Sequence, residues 1–309
     1  ANSKALEMAG ITRDLPDPDG GVIGREPGSN EPNGYLEEAG MVLIQQLIQA
    51  KLEFDYNAMV EQMQEIYIQH GVTTVQEGAA TKEGVQILKK IADNGQLKID
   101  VVAYPMLNDD GKAVMNQEKA LAGRYQNRLK IGGFKLVLDG SPQARSAWLS
   151  KPYLTGEEGY CGYPWMPDEA VKEAVRYSVD QGKQILVHCN GDAASEQFLN
   201  AYEDAVEHSG QKEKNSLRPV MIHCQTVRND QLDRMARLNM IASIFVGHVW
   251  YWGDIHMKNL GPERGNHISP AKDALDRGIV ITFHQDTPVT RPDMLHSVWC
   301  AVNRISRNR

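Results

Sequence analysis

The 309 residues carry 33 Lys and Arg against 40 Asp and Glu, a formal charge of −7, and 41% of them are hydrophobic. A chain of this size and apolar content can bury a large core, and no stretch approaches the roughly 20 apolar residues of a membrane span. The acidic balance, without a clustered basic stripe, argues against nucleic acid and for small molecules as partners.

Residues 1–40 are rich in Gly, Pro, Asp and Asn and precede any strong periodicity. They read as an irregular connecting segment with one short helix near Ser3 to Ala9. A long loop at a chain start points to sequence missing upstream. Residues 41–309 read as one domain of repeating helix–strand units. A helical pattern over 41–70 leads through Gly71 into VTTVQEG, 82–92 into KIDVVAYPML, and 117–125 into GGFKLVLDGS. Helices over 168–181, 193–208, 229–238 and 270–277 lead in turn into QILVHCNGD, PVMIHCQ, MIASIFVGHVW and IVITFHQDTPV. Asp168 and Asn229 suit helix N-caps, and Gly182 and Gly278 follow helix ends. Most of the seven strands are continuous apolar runs, the pattern of strands buried on both faces of a parallel sheet.

Seven such units suit a doubly wound sheet or a barrel. Lys135 lies within its strand, whereas His188, His223 and Asp286 close theirs. A barrel brings the C-terminal strand ends to one site, while an open sheet spreads them apart at about 4.8 Å per strand. No Gly-x-Gly-x-x-Gly follows the first strand. The expected fold is therefore α/β, a (β/α)₈ TIM-type barrel that is incomplete, with about seven of eight units. Two imidazoles, a carboxylate and a lysine on separate strands can bind one or two divalent ions, provided the lysine is neutral or converted to a carbamate. An ion lowers the pKa of its water, and an aspartate beside it can take the proton, which is the chemistry of a hydrolase.

KLVLDGSPQARSAWL, VHCNGDAASEQFLNAYEDA, IHCQTV and FHQDTPVTRPDMLHSVWCAVNR, in that order, resemble the successive signatures of the amidohydrolase superfamily. More narrowly they resemble its family 3, the branch of N-substituted formamide deformylase-like enzymes. The opening NSKALEMAGIT, DPDGGVIGR and NGYLEEA resembles the stretch before the second barrel strand of that family. The resemblance implies that Lys135 on the fourth barrel strand, His188 on the fifth, His223 on the sixth and Asp286 on the eighth are metal ligands. Lys135 is then carboxylated where two metals bind, and Asp286 is also the general base and acid for the attacking water. His248 matches a position facing the substrate, and Arg145 falls where the family often keeps an arginine; both are expected to bind substrate. The implied cofactor is one or two divalent ions, zinc first, with iron or manganese as alternatives.

Two departures bear on this. The family opens its barrel with a strand ending in His-x-His, which occurs nowhere in this sequence. It also builds a small β-sandwich from both termini, and here the chain stops after Arg304 before the closing helix and the returning strands. A central fragment is expected, whose strand edges and apolar surface must be covered, a homo-oligomer being one way. His284 and Gln285 stand where Gly-Ser is usual, so a bulkier ionisable group narrows the pocket or adds a ligand.

Cys189 and Cys224 follow the ligand candidates and are expected to be ordinary core residues, turned away by strand alternation. Asp139 and Asp192 read as braces for loops. Trp250, Tyr251 and Trp252 form either a pocket wall or a partner surface. Four widely spaced cysteines fit a reducing, cytoplasmic compartment. The expected function is hydrolysis of a carbon–nitrogen amide bond in a small molecule by metal-activated water. The alternative is a catalytically incomplete or vestigial barrel that binds metal or ligand. A phosphate-handling barrel predicts glycine-rich loops after the last two strands, and VGHVWYWGD and QDTPVTRPD do not supply them.

Overall fold

A computed structural model describes residues 1–108, 110–209 and 216–308. The opening segment is more regular than its composition promises. α1 (Ser3–Met8) is capped by Asn2, whose side chain accepts from Ala5 N at 2.9 Å. β1 (Gly21–Arg25) pairs antiparallel with β2 (Pro32–Glu38). Leu6, Ile11 and Ile23 bury in a small core of their own beneath this hairpin. The glycines, prolines and asparagines of 1–40 therefore mark turns between short elements, not an irregular connection.

The expected helix over 41–70 is two, α2 (Ala39–Lys51) and α3 (Tyr56–Gln69). The break has a local cause: Asp55 accepts from Ala58 N at 3.0 Å and starts a new helix. Beyond it come β3 (Thr74–Ala80), α4 (Lys82–Asp93), β4 (Asp100–Pro105), α5 (Gly111–Gln117), β5 (Leu129–Ile131) and β6 (Gly133–Val137). Then follow α6 (Asp168–Asp180), β7 (Gln184–Cys189), α7 (Asp192–His208), β8 (Val220–His223), α8 (Asn229–Arg237) and β9 (Ile241–Ile244). The chain finishes through α9 (Gly247–His267), α10 (Ala271–Asp276), β10 (Val280–Phe283) and α11 (Met294–Asn303). All seven expected strands are present, and β5 is an additional short one set off from β6 by Gly132. α11 supplies a helix after the last strand, which the sequence reading placed past the end of the chain.

Beyond the opening hairpin the ladders are parallel: β3 with β4, β4 with β5, and the run β6–β7–β8–β9–β10. A parallel bridge from Met106 to Lys135 links the two sheets into one succession. Among the described residues no ladder joins β10 to β3. The parallel α/β organisation is as expected. The sheet has two differently filled faces. Phe134, Leu136, Ile185, Val187, Met221, Ala242 and Ile244 point to the helices and enter the large core. Tyr104, Leu186, Val220 and Ile222 make a smaller cluster on the other face. That inner face, toward the C-terminal strand ends, is where the polar residues collect. Among the described residues no helix is long and apolar enough to cross a membrane.

Candidate active site

Alternation along the strands sets most of the site. Lys135 shares the inner side of its strand with Gly133 and Val137, and His188 follows Leu186 two residues on. His223 breaks the rule. Ile222 faces inward, so its successor belongs outward with the helices, yet the His223 ring lies edge-on to His188 with centroids 4.3 Å apart. The backbone explains this: His223 has φ 75° and Cys224 φ 48°, a left-handed kink that swings the imidazole back into the site. Cys224 and Cys189 go to the large core, both buried, as expected of core cysteines.

Asp139, just past β6, is fully buried and saturated with donors. Its Oδ1 accepts from His188 Nδ1 at 3.1 Å and from Asn190 N at 2.9 Å, and its Oδ2 from Gly191 N at 2.7 Å and Trp148 N at 3.1 Å. It braces two loops, as read from the sequence, and does more: a carboxylate facing Nδ1 fixes His188 with a bare Nε2. Gly191 lets these loops meet, since a Cβ there would collide with the carbonyl of Trp148. Asp139→Asn turns an NH2 group toward buried N–H donors. A loss of about 2–3 kcal/mol of stability is expected, read by urea denaturation; an unchanged midpoint would mean that the loops re-pair elsewhere.

Burial works against charge throughout the cluster. It pulls the Lys135 ammonium down to about 8, against the opposing pull of Asp286, Cys189, Glu77 and Asp139. It holds His223 well below the usual histidine range, with His188, His284 and Lys135 adding repulsion. His284 is pushed to about 3 by enclosure and by Lys135 and His188. Both its nitrogens are turned inward, Nδ1 to Ser243 Oγ at 3.0 Å and Nε2 to His223 Nδ1 at 3.2 Å. His284 therefore enters the cluster itself.

The remaining candidates are placed as follows. Asp286 is exposed, sits at φ 53° in a turn closed by Val289 N at 2.8 Å, and its charge acts on Lys135. His248 opens α9, buried, and shares Phe245 with the cluster: the Phe245 ring lies 4.8 Å from His248 and 5.3 Å from His284. Arg145 lies in the loop after β6, at φ 64°, its guanidinium over Gly156 and its charge felt by Tyr35, Tyr153 and Tyr160. Two residues in these surroundings escaped the sequence reading. Glu38, at the end of the hairpin, accepts from the Ser146 hydroxyl and ties the opening segment to the loop after β6. His256 pairs with His248 across two turns of α9, a spacing that only a predicted helix would have made visible. Among the described residues no group of three or more His, Cys, Asp and Glu side chains is arranged to hold a metal ion.

The Amidohydrolase family profile matches residues 1–309. The chain belongs to the amidohydrolase family. Among its relatives are the putative amidohydrolase YtcJ of Bacillus subtilis (strain 168), 26% identical over 324 aligned positions and covering 99% of this chain, and the N-substituted formamide deformylase of Arthrobacter pascens, 23% identical over 98% of it. This amidohydrolase chain spans 56% of the length of each. An uncharacterized metal-dependent hydrolase from Pyrococcus furiosus superposes with a TM-score of 0.75 at 25% identity, over 98% of this chain and 59% of that one.

Proposed function

We propose that this amidohydrolase chain carries part of the site of a metal-dependent hydrolase that cleaves a carbon–nitrogen amide bond in a small molecule. The observation that carries the reading is His188, aimed by the buried Asp139 and set beside His223, on which the charge of Lys135 acts. The donors fit a divalent ion. Two imidazoles sharing one ion at about 2.1 Å from each nitrogen have centroids about 4.5–5 Å apart, close to the observed His188–His223 separation. Two imidazoles fall short of the three protein ligands of a catalytic zinc. Lys135 is suited to complete the set, because with its pKa at about 8 roughly a tenth of it is a neutral amine at pH 7, able to add dissolved carbon dioxide and release a proton to give a carbamate.

His188, His223 and Lys135 would hold the ion, zinc first and iron or manganese otherwise. When bound it supplies a Lewis acid that polarises an amide carbonyl and acidifies water. Asp286, exposed at the strand end, accepts the proton of the attacking water and returns it to the leaving nitrogen. His248, from the wall, and Arg145, from the loop after β6, contact the substrate. The four cysteines are all free, which fits a cytoplasmic setting. A second reading, binding without turnover, is favoured by the lack of a three-donor group among the described residues. Metal content per chain by plasma mass spectrometry separates the two. One or two equivalents, lost in a His188→Ala, His223→Ala double variant, is the result expected. No bound metal in either protein would leave the binding reading in its place.

A further inference from the structure

His248 and His256 lie on one face of α9, their rings stacked with centroids 5.3 Å apart and 20° between planes. His248 Nδ1 is 3.1 Å from His256 Nε2, so one of these nitrogens carries the shared proton. Both rings are buried, His256 completely, and His256 Nδ1 has no hydrogen-bond partner. That orphan decides the direction. If His248 donated from Nδ1, neutral His256 would hold its own proton on Nδ1, a buried N–H with no acceptor. If His256 donates from Nε2, the orphan is only a bare lone pair. Buried N–H groups without partners are the rarer and costlier case.

We propose that His256 is a positioning residue that fixes His248 as the Nε2–H tautomer, so that His248 offers the site a neutral hydrogen-bond donor for an oxygen of the substrate. A preorganised donor in a water-poor wall stabilises negative charge developing on a carbonyl oxygen far better than one in water. Burial keeps both rings neutral, holding His248 well below the usual histidine range and His256 at about 4. The substrate half rests on the hydrolase reading; the tautomer half does not.

The test is long-range nitrogen–proton correlation NMR on the full chain with ¹⁵N-labelled histidine at pH 7, which reads the protonation of each ring nitrogen. His248 is expected as a single species with a bare Nδ1 and a protonated Nε2. His256→Leu is expected to lose that preference and show both tautomers, and His256→Gln, which keeps an N–H donor at the same place, to restore it. Saturating acetamide, an amide without other function, is expected to shift the Nε2–H signal in the full chain. A protonated Nδ1 on His248 would overturn the assignment even if neither variant folds, and so would a His256→Leu spectrum identical to the parent. No response to acetamide with the tautomer intact would overturn the donor role. Failure to find bound metal or turnover leaves these outcomes unaltered, so the two readings fail separately.

Discussion

Acidification from pH 7 to 4 is expected to unfold the metal-free chain, and its buried histidines are the reason. In the folded state His256 titrates at about 4 and His284 at about 3, against 6.5 for the free side chain. Below pH 6.5 the unfolded chain takes up protons that the folded chain refuses, so stability falls as pH drops. Their contribution is fully present above 6.5 and gone below about 3. At 1.36 kcal/mol per unit, His256 and His284 each cost about 3 kcal/mol by pH 4, the His284 share reaching about 5 kcal/mol only below pH 3. His223 and His248 are shifted in the same direction and add to the slope. A domain holds only about 5–15 kcal/mol in total, so these side chains suffice to exhaust it. Urea midpoints measured after chelator treatment at pH 7, 6, 5 and 4 check this. A His284→Gln variant, with no titrating ring there, is expected to show a shallower fall. A midpoint unchanged from pH 7 to 5 would mean that water already reaches the rings, and the idea would be lost.

The parallel strands were legible because their burial is written in unbroken apolar runs such as ILV and VMI, which no half-solvated strand would tolerate. Lys135 and His188 follow the alternation of such runs onto the inner face, whereas His223 does not. What stayed hidden depends on backbone detours. Nothing in IHCQTV announces the left-handed kink that turns His223 inward, because non-glycine residues adopt positive φ only where the surrounding structure enforces it. α9 was unreadable as a helix for a different reason. It is interrupted by Gly253, Gly261 and Pro262, bends at Gly261 with φ 79°, and buries His248, His256 and Asn259 beside only two larger apolar residues, Val249 and Leu260. Missing the helix meant missing the His248–His256 pair, since eight residues apart is a relation only on a helix. The opening hairpin was hidden by its composition, which reports turns faithfully and says nothing of the short strands between them.

Lys135→Met is expected to make the chain more stable at pH 7 while removing its capacity to hold an ion. Lys135 is 5% exposed, and its pKa falls from 10.5 to about 8 on folding. Between those values the unfolded chain holds a proton that the folded one releases, so this lysine adds stability as pH rises through the window. Below pH 8 its full penalty of about 3 kcal/mol is present. Methionine matches the length of the stem, packs in irregular space and carries no charge to desolvate. A gain of about 2–3 kcal/mol at pH 7 is therefore expected in urea denaturation of the metal-free protein, shrinking toward zero as pH approaches 10.5. The same variant is expected to lose the metal found in the parent, because neither a neutral amine nor a carbamate remains. Opposite signs for stability and metal content are what a residue retained for a site and against the fold must show. A variant less stable than the parent at pH 7 would mean that the ammonium is already compensated in the folded state, by Asp286 above all, and that Lys135 is a structural cation.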